Sequence, residues 1–209
     1  MITLVRSELH RMVTIRSSWA SIILFGCLAA AFGTLEAYWW AFFAGVGAFG
    51  ISVLIVTQHF QHRTITLLYL AQPRRGIVLL ALVLTSALVA WILAAVSGIT
   101  VLTADSTKFY QSATQAYQNT LLVVPIMAVF GAALAVIVRR TAWIFTGFGL
   151  WFIVVEGLLG QMKWPLPISS FLDATKSDPD PFSLMIFSFW TLAALALAAP
   201  LLGRDLNSD

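Results

Sequence analysis

His59 and His62 stand three positions apart, His10 lies near the start of the chain, and Glu156 falls within a long apolar run. These side chains could do chemistry. A histidine pair at i, i+3 on a helix puts two imidazoles on one face, which is the beginning of a metal site, but such a site needs further ligands. Cys27 lies in the first apolar run and no histidine lies inside any run. No Cys-His or Ser-His-acid set is therefore assembled at membrane depth. The only lysines, Lys108, Lys163 and Lys176, lack the preceding glycine that a phosphate-cradling GxxxxGK[ST] loop demands. No GxGxxG followed by an acidic ribose partner is present either. The expectation is a non-enzyme with no catalytic residue, metal ligand or cofactor of its own.

Glu156 is different in kind, because it is the one acid well inside an apolar run. At α-helical angles it shares a face with Gly149, Ile153 and Gly160. Small residues allow close helix approach, so this face is expected to point into a bundle or a cavity. Two roles stay open for Glu156: contact with a cargo or relay of protons, and a structural or gating hydrogen bond near the outer leaflet.

The elements that hold these residues follow from composition. The chain has 209 residues, 60% hydrophobic and only 10% charged, too apolar for a soluble core of ordinary proportions. Runs near the roughly 20 residues that cross a bilayer predict an all-α polytopic membrane protein. Six spans are expected at about 18–34, 36–58, 76–103, 119–138, 142–161 and 183–202, in one transmembrane domain covering 1–209. Gly33 and Glu36 break the first long run into a tight hairpin. Cys27 is the single cysteine, so no intrachain disulfide can form, and it reads as a small packing residue. Trp19, Trp39, Trp40, Trp143 and Trp164 fall near span ends, where interfacial anchoring accounts for them.

Charge orients the spans. With both termini inside, nine arginines (6, 11, 16, 63, 74, 75, 139, 140 and 204) fall on the cytoplasmic side and the three lysines fall outside. The first 17 residues read as an amphipathic helix on the inner surface, with Ile2, Val5, Leu9, Met12 and Val13 on one face and arginines able to meet anionic headgroups; the alternative is a basic flank that only sets orientation. His10 reads there as an interfacial polar residue. The net charge of +3 reflects this topology and implies no nucleic-acid partner.

The connector between the second and third spans, QHFQHRTITLLYLAQPRRG at 58–76, is more than a turn. RTITLLYLA can form two or more helical turns, Pro73 stops them, and Arg74 and Arg75 mark the membrane boundary. Ile65, Leu67, Leu68, Tyr69 and Leu70 would be costly to leave in water, and a patch of this kind usually marks an interface; the alternative is that the leucines extend the adjoining spans at the bilayer surface. The chain resembles the permease subunits of bacterial ABC-type exporters of the type 2 class. Those have six spans, an N-terminal elbow helix and, after the second span, a segment of acid, aromatic, basic pair, Gly-Thr-Ile, leucines, Pro and Arg. Here that segment reads His59, Phe60, Gln61, His62, Arg63, Thr64, Ile65, Leu67, Leu68, Leu70, Pro73, Arg74 and Arg75. His59 stands where the family usually has an acid, and Arg63 where it often has glycine. A lysine common in the first turns of the next span is missing from 76–82.

The resemblance implies that 59–75 is a coupling helix seated on a separate cytoplasmic ATPase, which would bind the ATP and magnesium. It further implies a second permease copy or paralogue and a pathway lined by the second and fifth spans. Candidates there are Phe42, Phe43, Phe49 and Ser52 on the second span and Phe145, Phe152 and Glu156 on the fifth. In such exporters the stretch equivalent to 162–182 carries short re-entrant helices that cap the pathway outside; a plain surface loop is the alternative. The apolar lining suits a hydrophobic or amphiphilic cargo such as a drug, a peptide antibiotic or a lipid. Two other functions stay open: a non-transporting membrane sensor or assembly partner, and a proton-coupled carrier using Glu156.

Overall fold

The computed structural model describes residues 2–14, 16–61, 64, 75–104 and 110–201. Every regular element among them is helical: α1 Ile2–Thr14, α2 Arg16–Gly33, α3 Ala37–Gln61, α4 Arg75–Ser97, α5 Ile99–Ala104, α6 Tyr110–Val138, α7 Thr141–Leu150, α8 Pro167–Ala174 and α9 Pro181–Leu201. A π-helical segment, Trp151–Leu159, prolongs α7. Five helices are long and apolar enough to cross a membrane. A sixth span is reached when the bent pair Leu4–Thr14 and Trp19–Gly33, which meet at 83°, is counted. The chain is thus a multi-pass membrane protein.

α3 is the central helix. In its most apolar window 78% of the residues are buried, against 11% for Thr141–Leu159 and 22% for α9, which therefore form the rim. Small residues let neighbours close on α3. A Cβ added at Gly45 would collide with the Phe171 ring of α8, and one at Gly131 of α6 would collide with Ser52. Trp40 is fully buried, donates Nε1–H to Ser97 Oγ at 3.1 Å and stacks on Tyr117 at 5.4 Å between centroids. It is a core residue, unlike the exposed Trp19, Trp39, Trp143 and Trp164.

The expected third span is present as one run, Gly76–Ala104, passing through a single turn residue at Gly98, where Trp40 and Tyr117 occupy the space a Cβ would need and the Tyr117 hydroxyl donates to the carbonyl of Ala95 at 3.1 Å. Two other stretches differ from the sequence expectation for identifiable reasons. α6 begins at Tyr110 rather than at 119, because YQSATQAYQN contains neither glycine nor proline to stop the helix. Within the fifth span, i→i+5 bonding such as Gly160 N–H to the Val155 carbonyl at 2.8 Å replaces the α-helical register. Ile153 is consequently 59% exposed while Glu156 is buried, so the two do not share a face.

Candidate functional site

The C-terminal turns of α3 gather polar contacts from four other parts of the chain. His59 is buried at 2% exposure, and its Nε2 lies 3.0 Å from Oε2 of Glu8 on α1, itself 4% exposed. Nδ1 of His59 lies 3.1 Å from the Thr64 hydroxyl. A carboxylate is acceptor-only, so Nε2 donates to Glu8; Nδ1 then accepts from Thr64 in the neutral ring or donates to it in the imidazolium. Arg11 Nε stands 3.1 Å from the same Glu8 oxygen, near enough for an ion pair but not aligned for a hydrogen bond.

Burial raises the Glu8 carboxyl, but the hydrogen bond and charge of His59, followed by the charge of Arg11, outweigh it and hold the group below its ordinary value. The expected apolar face of α1 is accordingly rotated. Glu8 and Met12, four residues apart, form the buried line, and Val13 is 61% exposed.

The other side of the α3 terminus ties to α7. The Thr57 and Thr141 hydroxyls lie 2.8 Å apart, and Gln61 Nε2 donates to Thr141 Oγ1 at 3.0 Å. Phe60 lies under the Arg139 guanidinium, 5.4 Å from ring centroid to carbon. Arg139 holds a left-handed backbone, φ 61°, between α6 and α7. From that turn its Nε donates to the Val136 carbonyl at 3.2 Å and its Nη2 to the Leu201 carbonyl at the end of α9 at 3.1 Å. One guanidinium thus serves the carbonyl ends of two helices. Of the expected coupling residues, Thr64 takes part in this cluster and Arg75 opens α4. His62, Arg63, Ile65, Leu67, Leu68, Leu70, Pro73 and Arg74 lie outside the described residues.

Midway along the bundle, Phe42, Phe49, Phe145 and Phe152 come together with Phe148 and Phe171 around an apolar pocket of about 260 Å³. Phe49 stacks on Phe148 at 4.0 Å, and Phe42 packs on Phe152 at 5.4 Å. Two other pathway candidates point elsewhere. Phe43 stacks on Phe32 of α2 at 4.1 Å, and the Ser52 hydroxyl donates to the Phe49 carbonyl at 2.8 Å against Gly131.

Glu156 does not line that pocket; it holds α8. Its Oε1 accepts from Trp151 Nε1–H and from the Ile168 amide, both at 3.0 Å, and its Oε2 accepts from the Ser169 amide at 2.6 Å. The residue before α8 is Leu166, whose side chain cannot cap a helix. Ser169 supplies half of a capping box by accepting from the Leu166 amide at 3.3 Å, and Glu156 supplies the missing acceptor from another helix. Stretch 162–182 is therefore no plain loop. Its helix buries Ile168, Ser169, Ser170, Phe171 and Leu172, and Trp190 of α9 fastens the approach by donating to the Pro165 carbonyl at 3.2 Å.

Sequence reasoning missed Glu8, Trp151 and Thr141. Glu8 could have been noticed as the one acid among the arginine-rich segments 1–17, 58–76 and 139–141. Cys27, expected to pack, is exposed instead. A larger pocket of about 650 Å³ with a mixed lining opens at the opposite end from His59, bordered in part by Glu36, Tyr38, Lys176 and Asp178. No protein-family model matches the chain, and no curated protein matches it either.

Proposed function

We propose that the chain is the membrane-spanning permease subunit of an ATP-driven exporter of the ABC type, paired with a second permease copy or paralogue and with cytoplasmic ATPase subunits. In this reading it lies in the cell membrane with both termini cytoplasmic. The observation that carries it is the polar anchorage at the end of α3, where the connector begins. His59 meets α1 through Glu8, and Thr57 and Gln61 meet α7 through Thr141. A push on the connector at 59–75 would reach the surface helix and the fifth span together.

Such a linkage is what alternating access requires, since two packed arrangements must be exchanged by one input. The aromatic pocket between α3 and α7 supports a hydrophobic or amphiphilic cargo. α8, held by Glu156, would cap the route on the outer side. A carrier relaying protons through Glu156 is the weaker reading, because both carboxylate oxygens already accept from N–H groups. A sensor or assembly partner would use the same connector for docking but would need no route through the bundle.

The test is a pull-down from native membranes through a tag on this chain. A P-loop ATPase should come down with it, and Arg63→Glu combined with Leu68→Asp should release that ATPase. If no such ATPase is recovered, or the double variant leaves activity untouched, the exporter reading fails.

A further inference from the structure

α1, α2 and α4 enclose an apolar groove of about 510 Å³ that opens to the outside of the bundle. Met12 and Val13 form its foot, and Ile23, Gly26, Val89 and Ile92 form its floor and sides. Gly26 is what makes it deep, since a Cβ built there would meet no atom within 4 Å. Its hydroxyl and its indole N–H are already engaged: Ser97 accepts from Trp40 and donates to the Ala94 carbonyl at 3.3 Å, and Trp19 Nε1–H donates to the Val13 carbonyl at 2.8 Å. Nothing in the groove asks for a polar partner.

We infer that this groove holds one acyl chain of an anionic phospholipid from the leaflet on the arginine-rich side. The groove runs along α2 from Trp19 to Ala30, which at about 1.5 Å per residue is roughly 16 Å. That is the depth of one leaflet in a hydrocarbon core of about 30 Å. Its foot lies at α1, which turns 83° away from α2, so a chain standing in the groove has its headgroup end beside α1. Arg6 is exposed there, at i−3 from Leu9 and i−7 from Val13, and thus on the side of α1 that borders the groove. A lipid meets all three conditions of length, apolarity and charge; a second copy of the chain meets only the apolarity. The inference rests on the membrane reading alone and is independent of the exporter proposal.

Cys27, the only cysteine, lines the groove and reports on its occupancy. The full-length chain, stripped of lipid in detergent, is alkylated at Cys27 with a maleimide while phosphatidylglycerol is added back. Bound lipid should slow alkylation about tenfold at a tenfold excess over its Kd. Arg6→Gln should raise the concentration needed, and phosphatidylcholine should protect less well. Gly26→Leu fills the groove into open space; native mass spectrometry should show one retained phospholipid on the wild-type chain and none on this variant at unchanged thermal stability. Alkylation rates indifferent to added phosphatidylglycerol, a lipid still retained by Gly26→Leu, equal protection by phosphatidylcholine, or protection that follows protein concentration instead of lipid would each overturn the proposal.

Discussion

His59 Nε2 and Glu8 Oε2 lie 3.0 Å apart, with side chains only 2% and 5% exposed, and they join the first helix to the end of the central one. Fifty-one positions separate them in sequence, so the pair is a tertiary clamp. Removing one member leaves the other buried without its partner, which costs about 1–3 kcal/mol. Glu8→Ala should therefore speed amide exchange across α1, measured by hydrogen-deuterium exchange, while leaving the centre of α6 protected. Glu8→Gln, which keeps an acceptor oxygen, should lie between.

The pH dependence follows from the depressed Glu8 carboxyl. Its folded value lies below the ordinary 4.5, so the clamp contributes fully above about pH 4.5 and is lost as pH falls through the folded value. Thermal midpoints taken from about pH 6 down to about pH 3 should show an acid limb that flattens in Glu8→Gln. An equally steep limb in that variant would show that other carboxyls are responsible.

Glu156→Gln removes one of the acceptor oxygens that serve the start of α8 and puts an amide group in place of a carboxylate oxygen. The expected loss is about 1–3 kcal/mol of stability. In a transporting complex, export should fall while ATP turnover persists, because the Glu156 carboxylate bonds Trp151 and the start of α8. Rescue by Glu156→Asp, one methylene shorter, should be incomplete.

Glycines separate packing from mere permissiveness. Gly98→Ala should destabilise by about 1–3 kcal/mol, since its Cβ meets the rings of Trp40 and Tyr117. Gly147→Ala, in a helix with no atom within 4 Å of the new Cβ, should be neutral or stabilising by about 0.5–1 kcal/mol. Melting curves of the two variants in one detergent make the comparison.

The spans were legible because an apolar run near membrane length leaves the backbone little choice but helix. Gly33 and Glu36 marked a real hairpin between α2 and α3. Of the seven pathway candidates, Phe42, Phe49, Phe145 and Phe152 border one pocket, while Phe43, Ser52 and Glu156 do not line it. What stayed hidden depended on partners. Nothing local distinguishes Trp40, which finds Ser97 and Tyr117, from Trp39, which faces outward. The π-helical register around Glu156 leaves no periodic trace, and α-helical geometry put that acid beside the wrong neighbours. Glu8 lay unnoticed among arginines because its partner belongs to a different helix.

The proposed exporter function requires an ATPase seated on the connector that leaves α3. Native mass spectrometry of the complex isolated through a tag on this chain tests it most directly. The expected mass includes two permease subunits, of which this chain is one, and two P-loop ATPase subunits, and the ATPase mass should be lost in the Arg63→Glu, Leu68→Asp double variant. A complex whose only components are copies of this chain, or one whose partner binds no nucleotide, would contradict it.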